Sequence, residues 1–311
     1  MAGAERAFTA QLARFFRAAP RLPVDLGDDA AVVPNRGSRS VLCCDPVIGD
    51  VHFTAADPSR LVGKKAVNRN LSDLAAMGAL PDWLLVSLVL ARSTSRTWTD
   101  GLLRGIRDDA RAAGARVVGG DVAVHDGPIV VTVSAIGHLA GKRALVRSTA
   151  RAGDTIHVSG PLGGSRAGHH LRFRPPLAVG AWLARQNGVG AAIDVSDGLL
   201  LDLATVLSAS SARGASLGAE LDAAHLPIRA AARRAADGNF EAACEAALTD
   251  GEDHELLWTQ RRSLAAGGPL SRRARGPIGR VTKAPGIWLV GRDGERRRLA
   301  ARGFEHAIRR R

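Results

Sequence analysis

Seven aspartates punctuate the first two-thirds of this chain in short clusters flanked by glycine or serine: Asp28 and Asp29 in LGDDAAVV, Asp45 in CCDPV, Asp73 in NLSDLAAMG, Asp121 in VVGGDV, and Asp194 with Asp197 in AIDVSDGL. Each cluster falls where an apolar run meets a turn or a helix end. A chain built this way can bring its carboxylates to one rim of a sheet instead of scattering them over a solvated surface. Taken singly, an aspartate in such a place reads as an N-cap or turn residue. Five clusters of the same form point to a shared site, and the pattern predicts a rim that holds Mg²⁺ and, through it, a polyphosphate.

The chemistry behind that expectation is coordination. Mg²⁺ takes hard oxygen ligands in octahedral geometry, keeps several waters and is commonly shared between a few carboxylates and substrate phosphates. Carboxylates crowded into one pocket repel one another until cations neutralise them. No Gly-rich phosphate loop ending in Lys-Ser or Lys-Thr occurs; the nearest string, VGKKAV at 62–67, lacks the upstream glycine and the hydroxyl residue. No GxGxxG occurs either. A nucleotide would therefore be held largely through metal.

Composition narrows the class. At 311 residues the chain has room for two ordinary domains, each with its own core. No apolar run approaches the ~18 residues that span a bilayer. The N-terminal MAGAERAFTAQLARFFRAAP is amphipathic, with Glu5 and spaced arginines where a signal sequence would be continuously apolar, so a cytoplasmic location is expected. Cys43, Cys44 and Cys244 make neither a disulfide framework nor a zinc site. The net charge of +13 is concentrated at one end: residues 1–140 carry 16 Lys+Arg against 14 Asp+Glu, residues 261–311 carry 15 against 3. The basic runs lack interleaved Phe or Tyr for base stacking, so a solvated surface is expected over a nucleic-acid site.

Apolar periodicity alternates between the two regular structures. Strands are expected at 41–47, 83–90, 116–122 and 128–139. Helices are expected from Asp57-Pro58, as N-cap and N1, to about Met77, and over 97–115. This is a first α/β domain, residues 1–140. A basic, Gly-containing stretch precedes a second, α+β domain, residues 141–311. Its helices are expected near 163–171, 176–187, 199–211, 227–235 and 239–248. Its strands are expected at DTIHVSG, AAID, ASLGAEL, ELLWT, PIGRVT and GIWLV. Aspartates of both domains carry the pattern, so the site should lie between them, where ligand pockets commonly form.

The ordered set LGDDAAV, CDPVIGDVHF, GKKAVNRNLSDLAAMGALP, VVGGDV, ALVRSTARAGDTIHVSGPLG, AIDVSDGLLLDL and DGEDHELL, spanning about residue 22 to the C-terminus, resembles the thiamine-monophosphate kinase family of the aminoimidazole ribonucleotide synthetase superfamily. The resemblance implies a two-domain aminoimidazole ribonucleotide synthetase-like fold and a homodimer whose N-terminal sheets pair into a β-barrel. It implies ATP, several Mg²⁺ ions and thiamine monophosphate in the cleft, with thiamine diphosphate and ADP as products. Carried over by motif, Asp29, Asp45, Asp73, Asp121, Asp194 and Asp197 would be metal ligands, with Cys43 and Cys44 at the flanking positions. Gly120, Arg147 and Ser196 would touch ATP, and His52, Glu252 and Phe304 the thiamine phosphate. The acceptor phosphate is already an anion, so in-line transfer needs charge screening and alignment rather than a strong base or a covalent phosphoenzyme.

Departures from the family pattern are local. Cys43 and Cys44 stand where small hydroxyl residues are usual, and thiols are poor Mg²⁺ ligands. A main-chain carbonyl at Cys44 would survive that change, whereas a side-chain contact at Cys43 would weaken. Asp250 replaces a glycine and His254 a tyrosine, and the connection between HHL and RPP at 171–175 is shortened. Alternatives at this level are another ATP-dependent enzyme of the superfamily, aminoimidazole ribonucleotide synthetase-like, or a catalytically impaired binding homologue. The expected features of selenophosphate synthetase and of the hydrogenase-maturation dehydratase, a reactive N-terminal Cys or selenocysteine and a C-terminal cysteine, are missing from this sequence.

Overall fold

The computed structural model describes residues 28–35, 38–211, 216–265, 268–270 and 276–305. The amphipathic N-terminal segment and the terminal AIRRR run lie outside the described residues. One sheet is drawn from residues 31–139. It comprises β1 (Ala31–Asn35), β2 (Ser38–Ile48), β3 (Ala79–Ala91), β4 (Arg116–His125) and β5 (Val130–Leu139), in the order β1-β2-β5-β3-β4. All neighbours are antiparallel except β3 and β4, which run parallel. Parallel strands need a crossover, and α2 (Arg96–Ala112) supplies it. Ser95 caps that helix by accepting a hydrogen bond from the Trp98 amide at 3.2 Å.

Before it comes α1 (Ser59–Ala76), the central element of the molecule. Residues on nearly every side of α1 are buried, and four of them are polar: Lys65, Asn68, Asn70 and Ser72. A buried polar group needs a partner, and each of the four finds one. Asn68 donates to Phe173 O at 2.8 Å, Asn70 Oδ1 accepts from Asp45 N at 2.9 Å, Ser72 donates to Asp194 at 2.6 Å, and Lys65 donates to His52 O at 2.6 Å. The helix thus ties distant segments together by its polar residues as much as by its apolar ones.

The second sheet is drawn from residues 155–299: β6 (Thr155–Val158), β7 (Val189–Asp194), β8 (Gly218–Asp222), β9 (Leu256–Gln260), β10 (Gly279–Thr282), β11 (Gly286–Val290) and β12 (Arg296–Leu299), in the order β12-β11-β8-β10-β6-β9-β7. Strand alternation splits β9 between two cores. Leu257 joins α4 (Leu199–Ser211) and α6 (Phe240–Thr249) in one cluster. Leu256 and Trp258 join α3 (Leu177–Leu183) and the end of α1, at Ala75 and Ala76, in another. A third cluster fills the space between the first sheet, α1 and α2. The short helix α5 (Ala230–Ala235) lies against α6. No helix among the described residues is long and apolar enough to cross a membrane.

Two expectations are corrected, and β1 and β12 add to the expected strands. Asp57 does not cap α1: its carboxylate accepts from Thr54 N and Thr54 Oγ1 in the preceding turn, and the helix starts at Ser59 without a side-chain cap. The helix expected at 163–171 is a pair of 3-10 turns, because Gly163, Gly164 and Gly168 all take left-handed backbone conformations that end helical turns. Within the basic C-terminal segment, RRRL forms β12, where Arg296 lies over the Trp288 ring and pairs with Glu220 at 3.0 Å.

The contact between α1 and α2 is close enough to exclude side chains. A Cβ on Gly105 would stand 2.0 Å from Arg60 O, and one on Gly63 2.2 Å from Leu102 O. Alanine is better than glycine inside a helix by ~1 kcal/mol, but overlap with main-chain atoms of a packed neighbour outweighs that gain. Gly105→Ala is therefore expected to lose about 1–3 kcal/mol of stability, read as a lower urea midpoint at unchanged slope.

Candidate active site

Carboxylates from three separate segments meet beside α1. Ligand oxygens of Asp29, Asp73 and Asp194 all lie within 4.8 Å of one another. Asp73 comes from the last turns of α1, Asp194 from the end of β7, and Asp29 from the segment before β1. Ser72 Oγ donates to Asp194 Oδ2 at 2.6 Å, and His254 Nδ1 lies 3.3 Å from the same oxygen. Arg147 grips Asp29 with both arms of its fork, Nε to Oδ2 at 3.0 Å and Nη2 to Oδ1 at 2.7 Å, while its amide donates to Asp28 at 2.8 Å.

The electrostatics follow from burial first and crowding second. Burial pushes Asp29 up to about 6, against the opposing charge and hydrogen bond of Arg147. Burial likewise raises Asp28 to about 6. Asp73 rises well above the usual carboxylate range, first through loss of water and then through the charges of Asp45, Asp194 and Asp29. Asp202, buried in α4, is also pushed well up by burial and by Asp197 and Asp194, and it accepts from the Asp197 amide at 3.1 Å. Buried carboxylates crowded together in this way are a site that divalent cations suit, and its donors are hard oxygens.

Asp45 stands next to this group on β2, 3.6 Å from Arg69 Nε. Cys43 shares its face of the strand. The Cys43 thiol donates to Asn70 O at 3.3 Å and is pushed well up by burial, then by the charges of Asp73 and Asp45. Cys44 points to the other, exposed face, where its sulfur accepts from Ser134 Oγ at 3.2 Å.

A cavity of about 360 Å³ adjoins the cluster, within the ~300–1,000 Å³ usual for small-molecule sites. Its lining includes His52, Arg69, Ser196, Asp197, Glu252, His254 and Phe304. Ile48 N donates to His52 Nδ1 at 3.0 Å, which places the ring proton of a neutral His52 on Nε2. Lys65, fully buried, lies 2.5 Å from Glu252 Oε1. Burial alone would raise Glu252, but the charge and hydrogen bond of Lys65 outweigh it and hold the carboxyl below its usual range. Burial in turn lowers Lys65.

Glu252 and His254 both have left-handed backbone conformations, at φ 62° and 51°, which is costly for residues with side chains. The turn is held from several sides. Glu252 N and His254 N donate to Ser196 O and Val195 O, both at 2.7 Å. Asp253 accepts from Gly163 N at 2.7 Å and pairs with Arg229 at 3.0 Å. The His254 ring stacks on Phe173 at 4.1 Å. Histidine in place of the tyrosine expected there is thus locked between Phe173 and Asp194.

Gly120 and Asp121 lie elsewhere, on β4 at the edge of the first sheet. Asp121 pairs in register with Ser87, Ser87 with Thr132, and Thr132 with Pro46. That is three strand spacings, ~14 Å, from the residue beside Asp45. Asp121 is exposed. Gly120 has a packing role of its own, since a Cβ there would meet Val86 O at 1.8 Å.

The N-terminal residues 27–139 match the family model described as AIR synthase related protein, N-terminal domain. A thiamine-monophosphate kinase of Rhodopirellula baltica is 35% identical over 318 aligned residues, covering 97% of both chains. The chain belongs to the thiamine-monophosphate kinase family. A second member, from Mycobacterium tuberculosis, is 35% identical over 86% of this chain and 81% of its own length. Among solved structures, AaThiL complexed with AMPPCP and TMP superposes with a TM-score of 0.82 at 25% identity, covering 98% of this chain and 97% of that one.

Within this kinase family frame, the motif reading did not single out Lys65, Arg69, Ser72 or Asp202. One signal was available for the first two: Lys65, Arg69 and Asp73 recur at four-residue spacing, which puts them on one stripe of a helix. Ser72 and Asp202 carry no such signal, since their partners are distant in sequence. If the cluster binds divalent cations, millimolar Mg²⁺ should raise the thermal midpoint by on the order of a few degrees, because a cation binds the folded chain and not the unfolded one. Asp73→Asn should abolish most of that rise, while Cys43→Ser should keep or enlarge it.

Proposed function

We propose that this chain transfers the terminal phosphoryl group of ATP to thiamine monophosphate, yielding thiamine diphosphate and ADP. The observation that carries the reading is the shared wall between carboxylate cluster and cavity: His254 lines the cavity and touches Asp194, and Arg69 lines it and faces Asp45. The solved relative that holds AMPPCP and TMP supports the same pair of ligands here. A cytoplasmic location goes with this reading.

Asp29, Asp73 and Asp194 would hold Mg²⁺, with Asp45, Asp197 and the Cys44 carbonyl completing the set. Bound there, the cations would screen the charge between donor and acceptor phosphates and align their oxygens. The protein's own groups do the rest. Arg147 and Ser196 face the nucleotide in this reading, and Gly120 faces it from a second copy of the chain. Glu252, kept ionised by Lys65, presents a carboxylate to the cationic thiazolium ring, His52 offers its Nε2 proton, and Phe304 offers a ring face. No residue needs to abstract a proton, because the attacking oxygen is already anionic. Holding two repelling anions in line is the main task.

The position of Asp121 makes a homodimer part of the proposal. Around it, Trp83, Leu85, Val117, Val122 and Val124 are exposed on β3 and β4, an apolar edge that a second copy would cover by pairing the two first sheets into a barrel. Asp121 and Gly120 would then serve the partner's cluster. With ATP, Mg²⁺ and thiamine monophosphate, the purified protein should release ADP and thiamine diphosphate, and Asp73→Asn should cut kcat/KM at least tenfold, roughly 1.4 kcal/mol of transition-state stabilisation. Asp121→Asn should do the same. Co-expressing the two variants should restore activity, since a mixed dimer regains one intact site; no recovery would place Asp121 outside the partner's site, and no turnover by the wild type would overturn the function.

A further inference from the structure

The stripe Lys65, Arg69, Asp73 along α1 links the two halves of the site. Successive members are four residues apart, so they rise by ~6 Å per step on one face of the helix. At one end Lys65 binds Glu252 and His52 O, both at the cavity. At the other end Asp73 belongs to the carboxylate cluster. Arg69 stands between them, lining the cavity and facing Asp45.

The guanidinium of Arg69 is incompletely used. It lines the cavity with its side chain 17% exposed, and its Nε is buried with no hydrogen-bond partner among the described residues. The nearest carboxylate oxygen, Asp45 Oδ2, is 3.6 Å from Nε, close enough for charge attraction but too long for a hydrogen bond. A buried donor left unmade is costly, and a guanidinium fork matches phosphate oxygens in both charge and geometry. Arg166 also lines the cavity, but it is exposed, and a solvated guanidinium contributes far less to an ion pair.

We propose that Arg69 receives the phosphate of the acceptor and makes the site select a phosphorylated over an unphosphorylated thiamine. The inference rests on the kinase reading above and adds to it the group that reads the monophosphate. Arg69 would bridge the acceptor phosphate to the Asp45 side of the cluster, offsetting the repulsion that the incoming anion meets there.

The test is calorimetric binding of thiamine monophosphate and of thiamine, in Mg²⁺, to the full-length wild type and to Arg69→Gln, Arg69→Lys and Arg166→Gln. The wild type should prefer the monophosphate. Arg69→Gln should weaken monophosphate binding by about tenfold or more while thiamine affinity stays within about twofold, which shows the cavity intact. Arg69→Lys should recover part of the preference, since it keeps the charge and loses the fork. An unchanged preference in Arg69→Gln, an equal loss for both ligands, or a preference abolished by Arg166→Gln instead would each overturn the assignment. A wild type that binds neither ligand would sink the kinase reading itself, a result distinct from those three.

Discussion

Three carboxylates that repel one another are held within 4.8 Å, and most of the molecule is arranged to keep them there. Left to themselves, such groups would separate or take up protons. Here they are anchored on elements that cannot move independently. Asp73 sits on a helix buried on nearly all sides, Asp194 ends the fully buried strand β7 and is tied to that helix through Ser72, and Asp29 is clamped by Arg147. Arg147 offsets only part of the charge, and burial first, with neighbouring carboxylates behind it, raises the affinity of Asp29, Asp73 and Asp202 for protons.

The same helix sets the geometry of the cavity wall. Lys65 is buried because it has two partners in the cavity wall, and a buried ammonium without them would be strongly destabilising. Its role is therefore inseparable from the turn that presents Glu252. That turn is itself strained, with two left-handed residues in sequence Glu252-Asp253-His254, and it persists because Asp253, Ser196 and Val195 hold its main chain on both sides. Strain stored in a site whose surroundings over-determine it is the pattern expected where side chains must be aimed rather than merely accommodated.

Legibility in the sequence divided along a physical line. Local patterns were readable wherever burial alternates with one period. Four of the five strands of the first sheet, all but β1, and the helices at 59–76, 96–112, 199–211 and 240–249 fall where periodicity puts them. It faltered where local chemistry competed. Asp57 had a nearer partner in Thr54, the glycines at 163, 164 and 168 tightened a helix into 3-10 turns, and three consecutive arginines hid a strand whose single buried residue is Leu299. The motif aspartates pointed to a cluster, yet nothing in the sequence distinguished Asp73, which enters it, from Asp121, which lies across the sheet on an exposed strand.

What the sequence determined by itself was the family, the identity of the acidic groups and the absence of a phosphate loop, because these are carried by residue type and order. Only the tertiary structure decided which carboxylates share a pocket, that Cys43 faces them while Cys44 turns away, and that Lys65 and Arg69 belong to the site. The reason is that convergence depends on strand register and helix packing. Those are set by contacts between segments tens to hundreds of residues apart, such as Ser72 with Asp194 and Arg147 with Asp29, and no local pattern encodes them.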